Sequence, residues 1–185
     1  MIVLLAVAAL AAGVAAGWWL PPNGRRPRVQ GPSGDRRILL PFTGTTISRR
    51  ALEAAVRLAR AEDATIMPAF LARVPRTLPL DAPLPAQCLQ AMPLLEAIEQ
   101  KVVAAGISVD ARVGRGRSYR HALSNVLADE PVDRVIVSAT SNPRTGLDAR
   151  DLDWLLTKVP SEVLILRPGA EDHRTVSAEG LRGHF

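Results

Sequence analysis

The sequence predicts an α/β fold with a five-stranded, parallel, doubly wound sheet, preceded by one transmembrane helix. Between Arg37 and Pro168 the apolar pattern switches repeatedly between short strand-like runs and the i, i+3, i+4 spacing of helices. Strands separated by helices need crossover connections, which make neighbouring strands parallel and place helices on both faces of the sheet. Residues Ile2–Leu20 add an unbroken apolar run before the first charged side chain. Five strand–helix units are too few for an eight-fold barrel, so the sheet should be open.

The first two strands are predicted at Ile38–Phe42 and Ala64–Leu71, which are short apolar runs. Helical spacing follows each of them, the second time after a proline-rich connection at Pro75–Pro85, and Gly106 ends the second helix. Pro68 is discordant, because a proline inside a central strand removes a hydrogen bond of the sheet. The inward faces of the two helices are predicted to be Leu52, Ala55, Val56 and Ala59, and Leu95, Ile98 and Val102.

Three further strands are predicted at Ile107–Val113, Val132–Ser138 and Val163–Leu166. Asp148 and Asp151 lie near the start of the last helix, where the helix dipole favours negative charge. The inward faces of the two intervening helices are predicted to be Tyr119, Ala122, Leu123, Val126 and Leu127, and Leu152, Leu155, Leu156 and Val159.

The apolar run at Ile2–Leu20 has the length and borders of a membrane anchor. Its 19 residues span about 28 Å as a helix, which matches the hydrocarbon core of a bilayer. Trp18 and Trp19 fall at the headgroup level, and Pro21 follows. Basic residues flank only its C-terminal end, so the positive-inside rule predicts a single-pass protein of the cell membrane with a cytoplasmic soluble domain. A cleaved secretory signal is the alternative, although the basic n-region is missing.

The chain divides into a transmembrane helix at residues 1–20, a basic Pro/Gly-rich linker at 21–36, a domain at 37–168 and a tail at 169–185 that is predicted to be disordered. Five arginines and one aspartate lie between residues 21 and 37, so most of the net charge of +5 is next to the membrane. Such a stretch suits anionic lipid headgroups better than a nucleic-acid groove, and no nucleic-acid partner is predicted. A topology signal within a solvated linker explains the charge equally well.

Metal and catalytic chemistry find little support in the sequence. Cys88 is the only cysteine, and no Cys or His spacing fits a zinc site. No nucleophile elbow or paired-carboxylate spacing is present, so the chain is not predicted to be an enzyme. Ser138 and Thr140 follow a strand where α/β sheets often bind ligands, although hydroxyls there more often form turns.

Several short segments follow one another in a recognisable order over residues 36–168. They are Ile38–Thr45, Ala51–Ala59, Ala64–Ile66, Gly114, Ala122–Leu123, Asp133–Val137, Gly146–Leu147 and Val159–Pro168. Together these segments resemble the universal stress protein (UspA-like) family. The resemblance implies a flavodoxin-like sheet of the adenine nucleotide alpha hydrolase-like type, in agreement with the fold predicted above. It also implies a homodimer formed through the last strand, whose apolar edge invites pairing.

Family members that bind ATP carry an aspartate at the end of the first strand and a spaced series of glycines after the fourth. In this chain Thr43 aligns with the aspartate, although Pro41 and Gly44 match the surrounding pattern. Asp148 and Asp151 stand at the helix start, where a phosphate cradle needs free backbone N–H groups and no competing anion. We therefore expect the site not to hold ATP. In the glycine series only Gly146 is retained, and the other positions fall near Ser138, Ser141, Arg150 and Asp151.

A second feature is the loop Gly114–Arg120, which leads into the third helix of the domain. Arg115, Arg117 and Arg120 crowd a helix N-terminus, where the dipole disfavours positive charge. An anion shared by these arginines and the backbone N–H groups would relieve the conflict. A solvated loop with Ser118 capping the helix is the alternative.

The sequence thus predicts a membrane-tethered binding or signalling module of universal stress type, with a degenerate nucleotide site and no required cofactor. The alternative is a nucleotide- or anion-binding regulatory protein of the ATP-binding class. A neighbouring transporter or sensor is a possible partner, because the anchor would give a high local concentration. The predicted ligand pocket comprises Pro41, Thr43, Gly44, Gly114, Arg115, Arg117, Ser138, Thr140 and Gly146.

Overall fold

The computed structural model describes residues 36–139, 147–167 and 175–183. The predicted anchor at Ile2–Leu20 and most of the basic linker lie outside the described residues. Within the described ranges, no helix combines the length with the apolar character that crossing a bilayer requires.

Strands and helices alternate along the described chain. The strands are β1 (Arg37–Phe42), β2 (Ile47–Ser48), β3 (Thr65–Arg73), β4 (Arg112–Gly116), β5 (Arg134–Ser138), β6 (Glu162–Leu166) and β7 (Thr175–Val176). The helices are α1 (Arg49–Glu62), α2 (Pro85–Ala104), α3 (Tyr119–Asp129), α4 (Ala149–Lys158) and α5 (Ala178–Arg182). Within these ranges, five strands form one parallel sheet in the order β4-β3-β1-β5-β6, which confirms the predicted five-stranded parallel sheet. Chain order reverses between β1 and β5, so the topological switch point lies between these two strands.

Helices cover both faces of the sheet. Leu40 of β1 belongs to a buried cluster with residues of α1 and α2, whereas the adjacent Leu39 belongs to a cluster with residues of α3 and α4. Neighbouring residues of the central strand therefore face opposite layers. Leu156, which was predicted to face inward, is 62% exposed. Within α4 only Leu155 is buried, so this helix contacts the sheet through a narrower face than its apolar pattern suggested.

Pro68 lies inside β3, in register with Leu40 of β1. Alternate residues of a parallel strand direct their backbone groups to the same neighbour, and Ile66 N donates to Ser108 O over 2.9 Å on the β4 side. The nitrogen of Pro68 points to that same side. On that side, β3 pairs with β4 only from Ala69 onwards. The N–H that Pro68 lacks would therefore meet no partner in β4, and a proline is compatible with this position of the strand.

The third strand of the sheet begins later in the chain than the predicted Ile107–Val113. The observed strand is β4, and the preceding segment contributes one isolated bridge, between Ile66 and Val109. Alternation of apolar residues favoured the earlier segment. Packing against α3 instead selects the glycine-containing segment.

Gly114 and Gly116 are the cause of this shift. A Cβ on Gly114 would lie 2.6 Å from Val126 Cγ2, and one on Gly116 would lie 2.2 Å from Ala122 N. Both residues lack a side chain at the point where α3 lies directly against the strand. The backbones of β4 and α3 can approach this closely only at glycine.

Charged side chains pair across the amino ends of the strands. Arg134 bonds Glu62 and, through Nε, Glu162 Oε2 over 2.7 Å, while Arg37 bonds Glu130 Oε2 over 2.6 Å. The hydrogen bond to Glu62, followed by that to Glu162 and the charges of both carboxylates, raises the pKa of Arg134 against the opposing effect of burial. Ion pairs thus close this edge of the sheet, and ligand binding is expected at the opposite, carboxyl edge.

The tail, predicted to be disordered, forms a strand and a helix over residues 175–183, which we name the C-terminal strap. Its β7 pairs antiparallel with β2, with Ile47 opposite Val176. Ser177 caps α5, and Leu181 is 4% exposed within the cluster shared with α1 and α2. The polar composition of the tail concealed two apolar residues at positions that reach the core. Tertiary packing therefore orders a segment whose composition predicts disorder.

Candidate functional site

A small cavity lies at the switch point, between the carboxyl ends of β1 and β5. Its volume is about 80 Å³. Of the residues predicted to form a ligand pocket, Pro41 and Thr43 line this cavity from the β1 end and Ser138 lines it from the β5 end. The remaining lining residues are Leu40, Phe42, Thr46, Ile47, Ser48, Ala51, Leu71, Ile136, Val137, Leu147 and Thr175.

Thr43 is the buried polar residue of this cavity. Its side chain is 6% exposed, and its Oγ1 has no hydrogen-bond partner within the described part of the chain. A buried hydroxyl that lacks a partner costs about 1–3 kcal/mol, so the position favours a ligand or a water that bonds to Oγ1. Of the described residues around the cavity, none is charged, and hydroxyls from Thr46, Ser138 and Thr175 share the lining with Thr43.

A larger groove opens beside the cavity, with a volume of about 520 Å³. Tyr119 contributes an aromatic ring and Arg73 a guanidinium, whereas Phe70 is 3% exposed and its ring packs on Phe42. Gln87 is held in place because its amide exchanges two hydrogen bonds with the backbone of Arg73, at 2.9 and 3.1 Å. Gly44, at φ +70°, takes the left-handed turn between cavity and groove. The groove thus offers aromatic surface, amides and one positive charge.

The N-terminus of α4 is capped by two carboxylates. Asp148 Oδ1 accepts from the backbone N–H groups of Arg150 and Asp151, both over 2.9 Å. Asp151 Oδ2 accepts in return from Asp148 N over 3.3 Å, which completes a capping box. Arg120 Nε donates to Asp151 Oδ1 over 3.1 Å. The first backbone donors of this helix and a nearby guanidinium are therefore already engaged by Asp148 and Asp151.

The arginine loop before α3 holds the proline-rich connection instead of presenting a cluster of free cations. Arg117 Nη1 donates to the carbonyls of Pro75 and Leu78, the second over 2.7 Å. Arg115 Nη1 donates to Asp81 O over 3.1 Å. Ser118 caps α3, as the alternative interpretation of the loop proposed.

The remaining residues that were predicted to line the pocket lie in different places. Gly114 lies in β4 beneath α3, and its role there is packing. Thr140 and Gly146 lie outside the described residues. Sequence reasoning missed Arg73, although its position at the carboxyl end of β3 was a readable signal. It also missed Thr175, for which the sequence carried no signal.

Within the described ranges no group of three or more His, Cys, Asp or Glu could hold a metal ion.

Comparison with known proteins identifies the family. The chain belongs to the universal stress protein family, whose sequence profile matches residues 35–167. Among curated protein sequences, none matches the chain significantly.

Solved structures support the fold. UspA from Lactobacillus plantarum is 17% identical over 71% of this chain and 97% of its own, with a TM-score of 0.56. A family protein from Arabidopsis thaliana with AMP bound is 15% identical over 75% of this chain and 95% of its own, with a TM-score of 0.52. The Archaeoglobus fulgidus protein in complex with dAMP is 13% identical over 71% and 98%, with a TM-score of 0.54. At these identities the likeness shows a shared fold.

Proposed function

We propose that this member of the universal stress protein family is a regulatory binding module whose site excludes ATP and admits a mononucleotide-sized ligand. The family proteins solved with AMP and with dAMP support a nucleotide of this size. The exclusion of ATP is supported by the geometry at α4, and the admission of a smaller ligand by the groove beside β3.

The capping box of α4 is the observation that carries the exclusion of ATP. A phosphate at a helix N-terminus uses the first backbone N–H groups as donors, but Asp148 already accepts from two of them. Two carboxylates also repel the added charge of a triphosphate. At an effective dielectric constant of 20, a unit charge at 4 Å contributes about 4 kcal/mol. The neutral Thr43, where ATP-binding relatives carry an aspartate, removes a further contact with a nucleotide.

The groove between β3, α2 and α3 supports the admission of a mononucleotide. Its volume of about 520 Å³ lies within the range of small-ligand sites. The ring of Tyr119 suits a base, the amide of Gln90 suits its polar edge, and the guanidinium of Arg73 suits one phosphate. One positive charge matches one phosphate group better than three.

We expect AMP to raise the melting temperature of the purified full-length chain, and ATP at the same concentration to raise it less. Ligand at 100 times its Kd adds about 2.7 kcal/mol to the unfolding free energy, or several degrees of melting temperature. Arg73→Gln should weaken AMP binding about tenfold, because one charge-assisted contact is lost. Arg76→Gln removes an exposed arginine outside the groove and should leave AMP binding unchanged. ATP binding as tight as AMP binding would contradict the proposal.

The module is also proposed to be tethered to the membrane through Ile2–Leu20, with the domain in the cytoplasm. The length of the apolar run and the arginines that follow it support this proposal. We expect the full-length protein to stay with the membrane fraction after alkaline carbonate extraction. Residues 38–185 should resist added protease in intact cells. Release into the soluble fraction, or cleavage from outside, would contradict the tether.

Self-association through β6 is part of the same proposal. Within the described chain β6 ends the sheet, and its residues Val163–Leu166 are partly exposed. Their side chains pack on both clusters of the core, and the outer edge of the strand is available for pairing. A transporter or sensor at the membrane remains a proposed partner.

A further inference from the structure

The C-terminal strap forms part of the wall of the candidate site. Its β7 pairs with β2, the two-residue strand that follows the turn after β1. This pairing places Thr175 in the lining of the cavity, together with Thr46 and Ser48. The wall on this side is therefore formed by a segment more than 120 residues away from β1 in the chain.

The strap packs on the domain through both its strand and its helix, and Leu181 is its buried residue. Leu181 sits in a crevice whose other lining residues include Leu52 of α1 and Lys101 of α2. Outside this crevice, Arg182 lies 3.8 Å from Glu96, with both side chains about half exposed. Within the described residues β7 pairs with β2 and with no strand of the five-stranded sheet, so the strap can open while that sheet stays paired.

The strap is an addition to the family domain. The family match ends at residue 167, whereas the strap occupies residues 175–183. The five-stranded sheet and its two buried clusters are built from residues before the strap, apart from Leu181 and two partly buried neighbours. A role at the site accounts for its position better than a role in the stability of the sheet.

We propose that the C-terminal strap is a latch that closes the cavity at the β1–β5 switch point, so that ligand entry requires its release. With the strap in place, the cavity of about 80 Å³ is much smaller than the roughly 300 Å³ of the smallest ordinary ligand sites. The proposed mononucleotide lies mainly in the open groove beside this cavity, and the part of it that reaches Thr43 must displace Thr175 and the strand that carries it. If only a fraction of the molecules have an open latch, the apparent affinity for the ligand is the affinity of the open state multiplied by that fraction. This inference rests on the proposed ligand site.

The test releases the strap and measures access to the cavity in two independent ways. Leu181→Asp replaces a leucine that is buried in the core with a charged side chain and should free the strap, in the full-length chain. Access is read first from the rate at which iodoacetamide labels Thr43→Cys in a Cys88→Ser background. It is read second from the Kd for AMP in protein that keeps Thr43.

Leu181→Asp should speed the labelling of Thr43→Cys at least tenfold and lower the Kd for AMP about tenfold. Leu156→Asp introduces the same charge at a leucine that is already 62% exposed on α4, and it should change neither value. If Leu181→Asp fails to fold, Val176→Pro removes a strand pairing of β7 and should give the same two results.

The two readouts separate this inference from the proposed function. Equal labelling rates with and without Leu181→Asp would overturn the latch, even if AMP binds. Faster labelling without AMP binding to either protein would support the strap as a cover and overturn the mononucleotide proposal. Faster labelling with an unchanged Kd for AMP would overturn the latch as a control on binding.

Discussion

Gly116→Ala is expected to destabilise the domain by about 3–5 kcal/mol, a large share of the 5–15 kcal/mol that holds a typical domain folded. The added Cβ would lie 2.2 Å from Ala122 N and 2.7 Å from both Ala122 Cα and His121 C. All three atoms belong to the backbone of α3, so no side-chain rotation relieves the overlap. The helix must move off the strand, and the packing of Leu123 and Val126 is lost with it.

Urea denaturation followed by circular dichroism measures this loss. Gly114→Ala should cost less, about 1–3 kcal/mol, because its nearest contact is a side-chain atom, Val126 Cγ2, and its nearest backbone atom, Ala122 O, is 3.1 Å away. Gly183→Ala is the control, since a Cβ there would lie 3.5 Å from its nearest neighbour, Glu179 O. A Gly116→Ala protein as stable as Gly183→Ala would show that β4 and α3 do not pack this closely.

These two glycines also show where sequence reasoning about the fold reaches its limit. Short apolar runs locate the strands that are buried on both faces, and the predicted Ile38–Phe42 differs from β1 by one residue. The edge strand β4 is different. Its sequence, Arg112–Gly116, carries little apolar signal, and it is placed by the close approach of a helix. Such an approach depends on distant residues that periodicity does not register.

In the candidate site too, features set by residues close in sequence could be predicted, whereas features set by residues far apart in sequence could not. Asp148 and Asp151 were placed correctly at a helix start because capping depends on residues three apart in sequence. The guanidinium of Arg117 was misjudged because its acceptors, Pro75 O and Leu78 O, lie about 40 residues earlier in the chain. Thr175 could not be placed at all, since its strand forms only against β2.

The double substitution Asp148→Ser and Asp151→Ser is expected to lower the Kd for ATP about 100-fold. Each carboxylate opposes a nearby phosphate by roughly 1–2 kcal/mol, so removing both gains about 3 kcal/mol. The change also frees Arg120, whose Nε now bonds Asp151 Oδ1 over 3.1 Å, to meet a phosphate. Serine still caps a helix, as Ser118 does for α3, so the helix should persist.

Isothermal titration of the double variant with ATP and with AMP tests this expectation. AMP should gain less than tenfold, because its single phosphate meets less of the removed charge. Asp153→Ser with Asp129→Ser removes the same total charge at two exposed aspartates, and it controls for the net charge of the protein. Equal gains for ATP in both double variants would mean that overall charge, and not the capping box of α4, keeps the triphosphate out.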